Sequence, residues 1–211
     1  MCQTVDQETI SEHKEMKKGL VTIIILAIIG LGIFFWVKNS YNTLVSGEEQ
    51  GSAAWAQGEN VYQRRADLIP NLVATVKGYA EHESETLENV VAARAKATQV
   101  TVDPDRLTEE DIARFQEVQG ELGSALGRLM MITENYPDLK ASQNFADLQA
   151  QLEGTENRIA VERKKYNDTA RAYNVSVRSF PSNIIASIFD FETKGYFKAA
   201  DGAETAPAVE F

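Results

Sequence analysis

The chain has 211 residues and a mass of 23.4 kDa, enough for one ordinary domain with a small attachment. Its 21 basic and 31 acidic residues leave a formal charge of −10, which repels phosphate and argues against a nucleic-acid partner. One cysteine and two histidines exclude an internal disulfide framework and leave little material for metal or general-base chemistry.

The first predicted element follows a short N-terminal tail, residues 1–19. Residues 20–37 read LVTIIILAIIGLGIFFWV, 18 residues without a charge. As a helix rising ~1.5 Å per residue this run reaches roughly 27 Å, close to the thickness of a hydrocarbon core. Lys17 and Lys18 stand at its entrance and Trp36 and Lys38 at its exit, where interfacial anchors belong. The exit, FFWVKNSYN, offers no small-residue cleavage site, so the segment is predicted to be an uncleaved single-pass anchor. Lys14, Lys17 and Lys18 precede it, and Lys38 is the only basic residue in the 25 that follow. This bias places the N-terminus in the cytoplasm and the domain outside. Cys2 has no partner in the chain and is given no structural role.

Mean hydropathy is −0.28 despite that run, so the remainder must be polar, as expected of long amphipathic helices around a thin core. Residues 38–51 are assigned to a stalk or linker, 52–195 to a helical bundle and 196–211 to an acidic, loosely held tail. A first helix is predicted from about Ser52 to Gln99. Leu72, Val76, Tyr79, Glu83, Leu87, Val90 and Arg94 recur in it at three- and four-residue steps. Pro70 forfeits the hydrogen bond to Ala66, yet Val61, Leu68 and Ile69 keep the phase across it, which favours one kinked helix. After VDPDRL, Thr108 with Glu109, Glu110 and Asp111 resembles a capping box. It opens a second helix, buried through Ile112, Phe115, Leu122 and Leu129 and ending near Tyr136-Pro137. The third starts near Ser142 and buries Phe145, Leu152, Ile159, Tyr166, Tyr173 and Val177; SNIIASIF then forms a short fourth. Short loops make the long helices run up, down and up. The expected fold is all-α: an N-terminal transmembrane helix, then an antiparallel bundle of three long helices plus a short fourth.

Several blocks are recognisable. YNTLV (41–45), RRADLIPNLVATVKGYAEHE (64–83), ENYPDLKASQNFADLQAQLEGTENRIAVERKKYNDTARAYN (134–174), FPSNIIASIFDF (180–191) and the tail YFKAADGAETAPAVEF resemble the LemA family of bacterial proteins. The likeness covers nearly everything from Tyr41 onward. It implies a membrane-anchored antiparallel helical bundle in the bacterial cytoplasmic membrane and supplies no catalytic residues. It also implies a small N-terminus outside, opposite to the lysine bias; the lysine bias is retained.

Polar residues inside the apolar stripes are the candidate site. At about 100° per residue, Arg65, Glu83 and Arg94 fall within about 20° of Val76. Glu156, Arg163, Asn167 and Asn174 lie within about 20° of one another. If the first and third helices end flush, Glu83 pairs with Arg163 between parallel helices, and Arg94 meets Asp111. Such pairs fix helix register; the functional alternative is a polar groove that receives a peptide or a lipid headgroup. The tyrosines of the repeated dipeptides Tyr166-Asn167 and Tyr173-Asn174 are expected in the core, with the asparagines bonding across helices.

No Glu-x-x-His pair, Gly-x-Ser-x-Gly elbow or phosphate-cradling glycine loop occurs, so no catalytic residue, metal, cofactor or small-molecule substrate is predicted. The first helix exceeds the second by roughly 28 Å at ~1.5 Å per residue, leaving SGEEQGSAAWAQGEN uncovered. Trp55, its one large apolar residue, is expected in self-association or at the membrane interface. These features describe a non-enzymatic envelope scaffold that meets a protein partner or copies of itself. The competing reading is a membrane-tethered sensor or signalling component, with an enzyme or metal-binding bundle ranked last.

Overall fold

A computed structural model describes residues 3–199, with side-chain surroundings from residue 19 onward. Cys2, the side chains of Lys14, Lys17 and Lys18, and residues 200–211 of the acidic tail lie outside the described residues. Among the described residues there are six helices and no strand. They are α1 (Gln3–Lys77), α2 (Ser84–Gln99), α3 (Glu109–Thr133), α4 (Pro137–Lys140), α5 (Gln143–Arg178) and α6 (Ser182–Ile188). The fold is all-α, as its apolar periodicity predicts.

The apolar run and the first bundle helix form one element. α1 is 75 residues long, about 112 Å at the α-helical rise. Its apolar window has no buried residues, the condition of a helix whose solvent is lipid. The 38–51 segment, expected to be a stalk, is instead α-helix within α1, and Leu44 in it is completely buried.

The helix expected from Ser52 to Gln99 is divided, and not at Pro70. α1 passes through Pro70 and stops at Lys77. Gly78, with its low helix propensity, follows, and the amides of Tyr79 and Ala80 both donate to the Val76 carbonyl at 3.0 and 2.9 Å. After this tight turn α2 runs back down α1. Pro70 is tolerated because its missing N–H is replaced from across the hairpin. The freed Ala66 carbonyl accepts a hydrogen bond from Arg94 Nε at 2.7 Å, and Ala66 is buried, where an unpaired acceptor would be costly.

α3 opens with the expected capping box: the Asp111 amide donates to Thr108 Oγ1 at 3.1 Å, and the Thr108 amide donates to the Asp111 carboxylate at 3.3 Å. α3 climbs beside α2, the single turn α4 crosses the top, and α5 descends in constant register with α1. Trp55 lies against Tyr166 and Arg65 against Glu156, ten residues further on each helix. The four core helices therefore run up, down, up and down.

α2 ends at Gln99, halfway down. Below it the 100–108 loop and the extended segment 190–199 complete the wall. The chain enters that segment through Asp190, whose φ of 61° is in the left-handed region that Asp tolerates better than most residues. The amide of Phe191 then bonds back to the Ala186 carbonyl at 2.9 Å, a Schellman-type ending for α6. Three stacked core regions result. The upper one contains Leu72, Val76, Val90, Leu122 and Leu129. The middle one holds Trp55, Tyr62, Phe115, Tyr166 and Phe197, and the lowest holds Leu44, Tyr173, Val177 and Ile185.

Candidate functional site

The polar residues predicted on the buried faces are used, but with different partners. Glu83 does not meet Arg163. The reversal at Gly78 leaves Glu83 at the top of the bundle as the residue before α2, accepting a hydrogen bond from the Tyr136 hydroxyl at 3.0 Å. That bond raises the Tyr136 phenol above its ordinary range. Arg94 does not meet Asp111 either: its Nε is on the Ala66 carbonyl, and Asp111 is committed to the α3 cap.

The internal ion pair is Arg65 with Glu156, Nη1 to Oε1 at 2.7 Å. Arg65 is buried while Glu156 is about half exposed. Its Nη2 donates to the backbone carbonyl of Gln119 at 3.1 Å and also bonds the side-chain oxygen of Gln119. Gln119 in turn donates to the Ala97 carbonyl at 3.3 Å. One guanidinium thus ties α1, α3 and α5 together just where α2 ends, a register-fixing use of a buried charge.

The remaining predicted residues form a clasp for an extended backbone. Asn174 Nδ2 donates to the Lys194 carbonyl at 2.7 Å, and the Lys194 amide donates to Asn174 Oδ1 at 2.8 Å. Asn167 repeats this two-point pairing with Phe197, both bonds at 2.9 Å. Gln116 of α3 does so with Lys198, at 3.0 and 3.1 Å. Two helical turns between the asparagines cover about 10.5 Å, and three extended residues cover about 10 Å. The match explains why these asparagines bond the returning chain rather than a neighbouring helix. Arg163 completes the clasp, donating to the Lys198 carbonyl at 2.7 Å with its guanidinium 5.0 Å from the Phe197 ring centre. Of the expected loose tail, residues 196–198 are therefore pinned to the bundle.

Gly195 passes close under this clasp. Its amide donates to the Leu107 carbonyl at 2.8 Å, and a Cβ there would lie 2.7 Å from the Glu109 Cα. Lys194 is buried, its stem against Gly51 and its ammonium donating to the Pro104 and Asp105 carbonyls at 3.2 and 3.3 Å. Burial pulls the Lys194 ammonium below the ordinary lysine range, opposed by the carboxylates of Glu48, Asp105, Asp103 and Glu49. Burial also pushes the Tyr173 phenol up to about 12, with Glu48 and Glu192 adding to the shift.

Trp55, expected at a surface, is 3% exposed. It stacks on Phe197 with ring centres 5.6 Å apart and meets Phe115 and Tyr166 edge-on at 5.1 and 5.6 Å. The face that looked uncovered against the second helix is covered by α5 and by the returning segment.

An open groove of about 790 Å³ lies between α1 and α5. Asn42, Ser46, Gly47 and Gln50 line one wall and Lys164, Lys165, Asp168 and Ala172 the other. Lys164 is paired with Asp168 at 2.9 Å. The lining contains neither a histidine nor a cysteine, and among the described residues no group of three or more His, Cys, Asp or Glu is placed to hold a metal ion. Such a wall can present hydrogen-bonding groups and cations to a partner.

An apolar span continuous with an antiparallel helical bundle defines a membrane-anchored helical-bundle protein of the bacterial envelope. The chain belongs to the LemA family, which it matches over residues 54–211. It is 26% identical over 204 residues to the magnetosome protein MamQ 2 of Paramagnetospirillum magneticum, covering 89% of this chain and 74% of that one. With the magnetosome protein MamQ of Magnetospirillum gryphiswaldense the identity is 26% over 212 residues, 91% of this chain and 78% of the relative. With protein LemA of Metamycoplasma hominis it is 25% over 179 residues, 84% and 78% of the two chains.

Proposed function

We propose that this protein is a non-enzymatic scaffold: a bundle held at a fixed height and angle above the bilayer, presenting the α1–α5 groove to a protein partner or a second copy. The observation that carries this reading is the unbroken α1, whose residues 20–37 are the apolar span and whose residues 44–76 form a wall of the core. A helix without a joint transfers the anchor's orientation to the bundle, so the groove faces partners in the plane of the membrane. The groove's small residues on α1 leave backbone and amide groups accessible beside Val161 and the Lys164–Asp168 pair. By the lysine bias, the bundle stands on the extracytoplasmic side of the cytoplasmic membrane. The same stiffness favours a second reading, a sensor that relays displacement between span and bundle, if the bundle instead faces the cytoplasm.

A photo-crosslinking residue at Ala172, in the groove, and another at Glu117, on exposed α3 surface, test the scaffold reading in intact membranes. Discrete adducts from Ala172 and none from Glu117 are expected. Absence of adducts from both, or equal yield from both, refutes the groove as a docking face. Labelling of an engineered exposed cysteine by an impermeant reagent in whole cells decides the side.

A further inference from the structure

The lower end of the bundle carries an apolar face with no protein against it. Phe180, Ile184 and Ile188 follow one another at four-residue steps on the outer side of the α5–α6 corner, while Ile185 and Ala186 turn inward. Phe180 is 82% exposed and Ile188 67%, and Phe189 beside them is half exposed. For a soluble bundle, four large apolar side chains at one corner would be an anomaly that marks an interaction site.

Their height identifies the occupant. Phe189 and Phe191 pack edge-on against Tyr41, ring centres 4.9 and 5.6 Å away. Val37, the last residue of the apolar run, packs against the lowest core region together with Phe191. Four helical residues from Val37 to Tyr41 rise only about 6 Å. The polar layer on each side of a bilayer's hydrocarbon core is about 5–7 Å deep. A membrane that takes up the run as far as Val37 therefore has its headgroup layer at the height of α6. The residues around the corner fit that layer: Trp36 and Tyr41 are partly exposed aromatics, and Lys38 and Arg178 are exposed cations able to reach phosphates. A second copy is a poor match, because four side chains at an edge fall far short of the roughly 20 residues a side of a stable protein interface.

We propose that the α5–α6 corner is a second membrane contact, with Phe180, Ile184, Ile188 and Phe189 lying in the lipid headgroup and upper acyl layer of the leaflet that the span leaves. The inference rests on the membrane anchoring of the family and is independent of the groove reading. It makes the attachment two-footed: the span fixes position, and the corner fixes tilt and rotation about the span.

The test uses the full-length chain in a Cys2→Ser background, reconstituted into vesicles of equal parts phosphatidylcholine and phosphatidylglycerol. A nitroxide is attached at Ile188→Cys, and in a second protein at Val161→Cys, an exposed apolar position higher on α5. The ratio of oxygen to aqueous nickel-chelate accessibility should be several-fold higher at 188 than at 161. Adding Phe180→Ser and Ile184→Ser should move the 188 label toward the aqueous value while bundle melting stays near that of the parent. A label at Phe180→Cys reads the same expectation if position 188 disturbs folding. Equal ratios at the corner and at 161 overturn the proposal. So does spin–spin broadening at 188 that grows with the protein-to-lipid ratio, because it assigns the face to a second copy.

Discussion

Arg94→Met should destabilise the bundle chiefly because Pro70 is present. Methionine keeps most of the aliphatic stem and removes the Nε donor that sits 2.7 Å from the Ala66 carbonyl. That carbonyl has no amide from residue 70 to replace it, since proline lacks the N–H, and Ala66 is 3% exposed. A buried acceptor left unpaired costs about 1–3 kcal/mol. In a Pro70→Ala background the new amide donates to the same oxygen, so Arg94→Met should cost only the net worth of one hydrogen bond, about 0.5–1.5 kcal/mol. The difference between the two costs is the coupling energy, expected near 1 kcal/mol. With a shift of about 2–4 °C per kcal/mol for a domain of this size, Arg94→Met should lower the melting temperature by roughly 2–12 °C in the natural background. Thermal melts of all four proteins in detergent, followed by helical circular dichroism, supply the cycle. Costs that agree in both backgrounds to within about 0.3–0.5 kcal/mol, the usual range of additivity, would show that Arg94 is not replacing the missing amide.

Trp55→Ala should cost about 3–5 kcal/mol, the range for a buried large aromatic, whereas Trp55→Phe should cost much less because the buried Nε1 has no hydrogen-bond partner. A change within about 0.5 kcal/mol for the alanine variant, read by the same melts, would return Trp55 to the surface. Gly195→Ala should release the clasped segment, since its Cβ would meet the Glu109 backbone at 2.7–2.8 Å; trypsin cleavage after Lys194 and Lys198 should accelerate, and an unchanged rate would contradict the clasp. Raising the pH should destabilise the fold through Tyr173. Its folded pKa is raised from 10.0 to about 12, so its contribution is fully present below pH 10 and is lost between pH 10 and 12 as the unfolded chain ionises first. The lowered pKa of Lys194 acts in the opposite sense, because the unfolded chain then holds more protons just below the ordinary lysine value. Tyr173→Phe should flatten the alkaline loss and, because the buried hydroxyl is unpaired, leave neutral-pH stability unchanged or improved by about 1 kcal/mol. An alkaline profile identical to the parent's would contradict it.

The span, the α3 cap and the faces of the helices were legible because each depends on residues within a few positions of one another. The span is a contiguous run of 18 uncharged residues, and Thr108 with Asp111 closes a capping box over three positions. The hairpin at Gly78 was not legible for a definite reason. Leu72, Val76, Leu87 and Val90 keep their three- and four-residue steps through the turn, because α1 and α2 bury these residues against a common core. Periodicity reports which face is buried and is blind to the direction of the chain. Once the chain reverses, Glu83 goes to the top of the bundle, and every partner inferred from a straight helix changes. Glu83 is paired with Tyr136 and Arg94 with the Ala66 carbonyl, in place of Arg163 and Asp111.

The mismatch in helix lengths came from reading α1 and α2 as one helix, and the odd composition of 46–60 has another explanation. That stretch is rich in small residues and contains Trp55, and against the second predicted helix it looked uncovered. In the structure α5 extends down to this level, and the chain returns from α6 to fill the space below the short α2. Gly51 is small because the Lys194 stem lies on it, and Gly47 because a Cβ there would approach the Tyr173 ring at 3.0 Å. Trp55 is large because it reaches into the space where Phe197 stacks. The uncovered surface was therefore a receptor for part of the same chain, held by Asn167, Asn174 and Gln116 through its backbone. Recognition through backbone pairing leaves little side-chain signature in the segment recognised, apart from Gly195 and Phe197. That is why the clasp was visible only as two asparagines on the edge of a helix stripe.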